Sequence, residues 1–282
     1  MTSSQLPRIT GIDTHAHIFN RELPLAPGRR YSPEYDALAE QFLSLLDSCG
    51  LSHGVLVQPS FLGTDNSFML AALNNYPERL RGIAVVSPGI GPSELDQLVA
   101  SGVVGIRLNL VGQPLEDYSD DHWQAFFQQL AARQCSVEIQ RSIDDLAQIL
   151  PAILSAGVDV VVDHFGLPVG GINPKQASHK AFLDLLSNQQ LWIKLSAPYR
   201  SHSSAGQVAQ MLELLRSASG GVERMLWGSD WPNTQFESST HYLEQFQRIQ
   251  SLLTDPLEWE KVLIENPARL FKFATQIQSV QK

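Results

Sequence analysis

The stretch Ile9-Thr10-Gly11-Ile12-Asp13-Thr14-His15-Ala16-His17 begins as an apolar run and ends in two histidines one residue apart. Side chains alternate faces along an extended backbone, so His15 and His17 point the same way, about 6–7 Å apart. Two imidazoles so placed can reach one metal ion or one substrate carbonyl. The competing reading is two histidines that share a strand face with no chemical purpose. The rest of the chain has to separate the two.

Seven more short apolar runs follow. With the first they read as strands at Ile9–His15, Gly54–Gln58, Arg81–Val86, Gly105–Leu108, Ser136–Gln140, Val158–His164, Trp192–Ser196 and Arg224–Asp230. Most are continuous Val, Ile and Leu runs, as expected of parallel strands covered on both faces. Helical spacing lies between them. Pro33–Ser48 carries Leu38, Phe42, Leu45 and Leu46, and Ser119–Arg133 carries Trp123, Phe126, Phe127 and Leu130. Ser142-Ile-Asp-Asp145 resembles a capping box opening a helix toward Leu154. Val208–Ala218 stripes Met211, Leu212 and Leu215, and Asp255-Pro256 is a helix start.

Strands alternating with helices in this number predict an α/β fold, a (β/α)8 barrel in a single domain over residues 1–282. The alternative is an open doubly wound sheet, but its Gly-x-Gly-x-x-Gly fingerprint is missing. The longest non-periodic stretch, Phe19 to Tyr31, would be a loop over the active face of the barrel. A barrel should gather polar residues at the carboxyl ends of its strands. They are there: His15 and His17, Gln58 and Ser60, Arg107 and Asn109, Gln140 and Arg141, Asp163 and His164, Lys194 and Ser196, and Ser229 and Asp230. This recurrence turns the histidine pair into a candidate site.

Each residue keeps two readings. Asp230 ends the run Met225-Leu226-Trp227-Gly228-Ser229, as a turn cap or as a general base. His164 is a satisfied core histidine or a site residue, and Asp163 beside it is expected to face the other way as a structural group. Arg107 ends a buried strand and needs an anionic partner, either a protein carboxylate such as Glu138 or a substrate carboxylate. Arg200 poses the same question from a loop.

Composition narrows the classes. The net charge of −9 argues against non-specific nucleic-acid binding, and 43% apolar with 17% charged residues is ordinary for a globular chain. Cys49 and Cys135 form no Cys-x-x-Cys pattern, which fits a reducing compartment. Met1 to Arg8 lacks a signal-peptide core, and no apolar run is long enough to span a bilayer. The expectation is a cytoplasmic protein with no membrane or nucleic-acid partner, its homo-oligomeric state left open.

Asp-Thr-His-Ala-His, Asp163-His-Phe-Gly166, Trp227-Gly-Ser-Asp-Trp-Pro232 and Glu265-Asn-Pro-Ala-Arg-Leu-Phe271 occur in this order. Together they resemble the amidohydrolase superfamily (amidohydrolase family 2), and within it the 2-pyrone-4,6-dicarboxylate lactonase-like branch. The resemblance implies a distorted barrel that hydrolyses a small ring ester. It places Asp230, His15, His17 and His164 on catalytic positions and Arg107 and Arg200 on carboxylate-binding ones. Tyr31 and Ser60 fall near the substrate, and the strand-end Gln140 and Asn109 are further candidates for binding it. Metal-dependent members carry a histidine ending strand five and often a lysine or glutamate on strand four, where this chain has Gln140 and Arg107. Neither is a usual ligand. No cofactor is therefore expected, the alternative being one zinc ion on His15, His17 and Asp230. The lactonases carry a further arginine shortly after the strand-four one, where this chain reads Leu110-Val-Gly-Gln113. The substrate then has fewer carboxylates, or places one differently. The expected activity is opening of a small carboxylated lactone by water, with Asp230 as base and the three histidines stabilising the oxyanion. A zinc amidohydrolase or decarboxylase, a lactone isomerase and a non-catalytic barrel binding an acidic metabolite are the alternatives.

Overall fold

The computed structural model describes residues 8–274. Eight parallel strands follow one another around the sheet in chain order: β1 (Ile12–Ala16), β2 (His53–Val57), β3 (Leu80–Ala84), β4 (Val103–Asn109), β5 (Ser136–Gln140), β6 (Val160–Val162), β7 (Leu191–Ser196) and β8 (Met225–Gly228). A helix follows each: α1 (Ala39–Ser48), α2 (Ser67–Asn75), α3 (Pro92–Ala100), α4 (Asp121–Ala132), α5 (Ile143–Leu154), α6 (Ala177–Leu185), α7 (Ala205–Ser219) and α8 (Tyr242–Leu252). This is the (β/α)8 barrel.

The inward side chains form layers, as barrel geometry requires. Ile12, Val55, Val104, Val161, Trp192 and Leu226 pack together at one end, sealed by Ala268, Leu270, Phe271 and Phe273 from the C-terminal segment. Two residues beyond Val161 and Trp192 come Asp163 and Lys194, joined by Glu138 from β5, all fully buried. The outward faces bury the helices' apolar stripes in a separate large cluster.

Three local readings change. The first helix starts at Ala39, not Pro33, because Phe19 and Ala37 exchange backbone hydrogen bonds of 2.8 and 2.9 Å and commit those amides to a bridge. At Ser142 only half of the capping box forms: its hydroxyl accepts from the Asp144 amide, while Asp145 turns to Arg141 at 2.6 Å. β6 stops at Val162, and the chain turns through a 3-10 segment in which His164 has φ 54. The strand alternation that would have sent Asp163 outward therefore counts from the wrong residue. Asp163 continues the inward face of Val161, and the turn brings His164 inward as well.

β8 meets β1 through specific bonds. The Asp230 amide donates to the His15 carbonyl at 2.8 Å, and the His17 amide to the Trp231 carbonyl at 2.7 Å. Thr14 Oγ1 donates to the Trp227 carbonyl at 2.8 Å, and Asp13 accepts from the Ser229 amide at 2.9 Å. Gly228 makes this approach possible: a Cβ there would lie 2.5 Å from His15 Cβ and 2.9 Å from His15 N. The obstacle includes backbone, which cannot rotate away. Gly228→Ala is therefore expected to cost about 1–3 kcal/mol, the usual range for overpacking. It should also pull His15 from Asp230, so urea denaturation and a turnover assay should both register it.

Candidate active site

Asp230 sits at the centre of the barrel mouth, fully buried, with its backbone in the left-handed region at φ 58. Non-glycine residues there are strained, and such strain concentrates at functional sites. The turn points the carboxylate back over β1 and splits its oxygens between two environments. Oδ2 accepts from Tyr199 OH at 2.5 Å and from Arg200 Nε at 2.6 Å. Asn233 Nδ2 donates to Tyr199 OH at 2.9 Å and fixes that phenol. Oδ1 has no hydrogen-bond partner and lies 3.4 Å from His17 Nε2 and 3.7 Å from His15 Nε2. Burial would raise the Asp230 pKa, but Arg200, then the neighbouring histidines, hold it well below the usual carboxylate range.

Hydrogen bonding assigns the protons on the first two histidines. His17 Nδ1 is 2.7 Å from the Val57 carbonyl, which can only accept, so Nδ1 carries the proton. Burial keeps this ring neutral by lowering its pKa to about 4. His17 Nε2 is then a bare lone pair facing Oδ1. His15 is the reverse. The Lys194 ammonium, which can only donate, lies 3.1 Å from His15 Nδ1, so the His15 proton sits on Nε2. Glu138 Oε1 and Asp163 Oδ1 are each 3.3 Å from that Nδ1 but make no hydrogen bond with it. His164 bonds Ser196 Oγ through Nδ1 at 2.8 Å and leaves Nε2 unpartnered. Burial pushes its pKa well down, so it too is neutral.

Beneath the histidines lies a closed set of charges. Lys194 Nζ pairs with Glu138 Oε2 at 2.5 Å, and Arg107 donates from Nε and Nη2 to Asp163 Oδ2 at 3.1 and 2.8 Å. Against burial, Arg107, with Lys194 among the other contributors, holds the Asp163 pKa well below its ordinary value. The expectation that Asp163 stands apart is thus overturned. The main protein partner of Arg107 is Asp163, with Glu138 farther off at 4.0 Å. Arg200 also has a protein partner, Asp230.

These groups open into a cavity of about 250 Å³ whose wall includes His17, Arg30, Tyr31, Ser60, Arg107, Gln140, Arg200 and Asp230. Asn109 does not line it, and its Oδ1 is buried without a partner. His15 and His164 lie just behind the wall, with ring centroids 4.8 Å apart. Gln58 and Arg141, also at strand ends, tie loops down: Gln58 holds the Asp65 carbonyl and Arg141 the Gln113 carbonyl. Tyr31 donates to Glu237 at 2.5 Å and Tyr35 to the same oxygen at 2.7 Å, joining the loop after β1 to the loop after β8. Burial, reinforced by Glu237, pushes the Tyr31 pKa up to about 12. A larger cleft of about 620 Å³ between α2 and α3 lies away from the histidines and carries Glu94 as its one ionisable lining residue.

Atoms of His15, His17 and Asp230 lie within 4.8 Å of one another, close enough to consider a divalent cation. The donor set does not suit one. Lys194 puts a proton on His15 Nε2, Asp230 Oδ2 is already neutralised by Arg200, and Gln140 and Arg107 offer no further ligand.

Sequence reasoning assigns no site role to Glu138, Asp163, Lys194 or Tyr199, although Asp163 and Lys194 stand among the strand-end polar residues and Glu138 is a possible partner of Arg107. The signal for two of them was present, since Glu138 and Lys194 lie two residues before Gln140 and Ser196 on the same strand faces.

The profile of the amidohydrolase family matches residues 12–273. The 2-pyrone-4,6-dicarboxylate hydrolase of Comamonas testosteroni is 29% identical, over 92% of this chain and 89% of that protein. The 4-sulfomuconolactone hydrolase of Rhizobium radiobacter is 28% identical over the same shares of each chain. A crystal structure of a probable 2-pyrone-4,6-dicarboxylic acid hydrolase from Acinetobacter baumannii, with citric acid bound, superposes with a TM-score of 0.89. It is 38% identical and covers 93% of this chain and 99% of that one.

The charge set makes two stability predictions. Lys194→Met leaves Glu138 buried and unpaired, and is expected to cost about 3–5 kcal/mol in urea denaturation. Adding Glu138→Gln should recover part of the loss. For pH, His17 and His164 have folded pKa values below the unfolded 6.5, so the unfolded chain takes up protons first as pH falls. Stability is expected to decline from about pH 6.5 towards 4, by up to about 1.4 kcal/mol per pH unit for each histidine. His17→Gln should flatten the measured slope.

Proposed function

The chain belongs to the amidohydrolase family, and we propose that it is a hydrolase opening a small carboxylated lactone by attack of water on the ring ester carbonyl. One observation carries the reading. Asp230 Oδ1 stands bare at the end of the cavity, between a bare nitrogen of His17 and an N–H of His15. Two acceptors 3.4 Å apart suit a water that donates one proton to each. That water is the nucleophile, and Asp230 takes its proton as the bond to the carbonyl carbon forms.

The histidines divide the work. His17 orients the water through Nε2, since its own proton is committed to Val57. His15 donates Nε2–H to the developing oxyanion, and His164 stands behind it with its Nε2 unpartnered. A well-placed donor of this kind contributes roughly 3–4 kcal/mol. The proton on Asp230 then passes to the departing ring oxygen.

Arg107 and Arg200 hold a substrate carboxylate and so orient the ring. Each has Nη1 uncommitted: Arg107 spends Nε and Nη2 on Asp163, and Arg200 spends Nε on Asp230 and Nη2 on Thr234. A carboxylate arriving on Arg200 competes for its charge and frees Asp230 to act as a stronger base. Chemistry thus waits for the correct substrate. Tyr31, Ser60 and Gln140 shape the entrance. No step is assigned to a metal, because the donor set does not suit one. The reaction fits a protein in which no described helix is long and apolar enough to cross a membrane.

Activity over a panel of carboxylated lactones, read by product mass, tests the reading. A gain of one water marks hydrolysis, and unchanged mass marks isomerisation. Asp230→Asn is expected to lower kcat about 10²–10⁴-fold, the range for loss of a general base. Turnover surviving that change would remove Asp230 from the role. Activity should also survive chelation. Loss on chelation with recovery on adding zinc would establish the metal-dependent alternative.

A further inference from the structure

A third guanidinium faces the cavity. Arg30, from the loop between β1 and α1, lines the same wall as Arg107 and Arg200. The other two are matched by carboxylates, Asp163 and Asp230. Arg30 has no carboxylate partner among the described residues, and the charges that act on it are those of Arg107 and Arg200. Burial and these two cations pull its pKa down. The cavity of about 250 Å³ is thus left with one guanidinium unmatched by a carboxylate, a charge that an incoming anion would meet.

The loop holds Arg30 in place. Arg29 donates to Ser32 Oγ at 2.7 Å on one side, and Tyr31 bonds Glu237 at 2.5 Å on the other. The Ala26 amide donates to the Phe61 carbonyl at 2.7 Å, and Phe19, Phe61 and Leu62 pack beneath. Arg30 is thus presented to the cavity by an anchored segment.

We propose that Arg30 binds a second carboxylate of the substrate, distinct from the one held by Arg107 and Arg200, and so selects dianionic over monoanionic rings. The position after β4, Leu110 to Gln113, has no cation; the charge comes instead from the first loop. The assignment rests on reading the cavity as the lactone site. It makes Arg30 a determinant of specificity, with no part in bond making.

Binding of unreactive rings tests it without turnover. Calorimetry would compare benzene-1,3-dicarboxylate with benzoate on the intact protein and on Arg30→Met. The expected result is a rise of about ten- to a hundredfold in Kd for the dicarboxylate, as for loss of a hydrogen-bonded charge, with benzoate changed less than about twofold. Arg30→Lys should fall between, since an ammonium keeps the charge and loses the two-pronged contact. Unchanged dicarboxylate binding in Arg30→Met, or an equal loss for both ligands, would overturn the assignment while leaving the Asp230 mechanism standing. Arg30-dependent dicarboxylate binding in a protein that opens no lactone would overturn the hydrolase reading instead. Arg30 is exposed, so a melting curve should confirm that the variant folds.

Discussion

A buried ammonium has to be surrounded by acceptors, and Lys194, at 0% exposure, organises the barrel interior on that account. Its three protons face Glu138, His15 and, farther off, Asp163. By donating to His15 it decides which nitrogen of that ring looks up into the cavity with a proton. By neutralising Glu138 it allows carboxylates to crowd beneath the histidines, and Arg107 does the same for Asp163. The site above then rests on a compensated base. Of the carboxylates gathered there, Asp230 is the one that lines the cavity, and its Oδ1 is left bare.

The split of Asp230 shows how such a framework is tuned. Tyr199, Arg200 and Asn233 come from the loops after β7 and β8; Tyr199 and Arg200 bond the carboxylate at Oδ2, and Asn233 holds Tyr199. Oδ1 faces histidines alone. One side chain is thus anchored at one oxygen and open at the other, on a backbone held in the left-handed region. The related hydrolases of pyrone dicarboxylate and sulfomuconolactone differ in the anions their names specify. The cationic lining of this cavity is the part where such differences would be written.

Much of this was legible in the chain. The parallel strands announce themselves as unbroken apolar runs, and the polar residues closing them mark the mouth of the barrel. His15, His17, His164 and Asp230 do converge, and Arg107 and Arg200 do reach the same cavity. What sequence periodicity could not supply was the end of β6. A strand of three residues followed by a left-handed turn moves Asp163 and His164 to the same side, and no apolar pattern records a positive φ. Proton positions were hidden for a similar reason. They depend on Val57 and Lys194, residues far from the histidines in sequence and adjacent only once the barrel is rolled. Asn109 ends a strand like its neighbours and still does not line the cavity.

The seam between β8 and β1 has a consequence for how the protein comes into being. Thr14 bonds the carbonyl of a residue 213 positions later, and the carboxylate that completes the site lies just beyond that. Contacts of such long sequence separation are slow to find and come late. A nascent chain emerging from the ribosome carries both histidines of the first strand from the start, yet has no working centre until the eighth strand arrives. A loop latch drawn from the same two regions, Tyr31 and Tyr35 on Glu237, likewise closes only once the chain has passed its eighth strand.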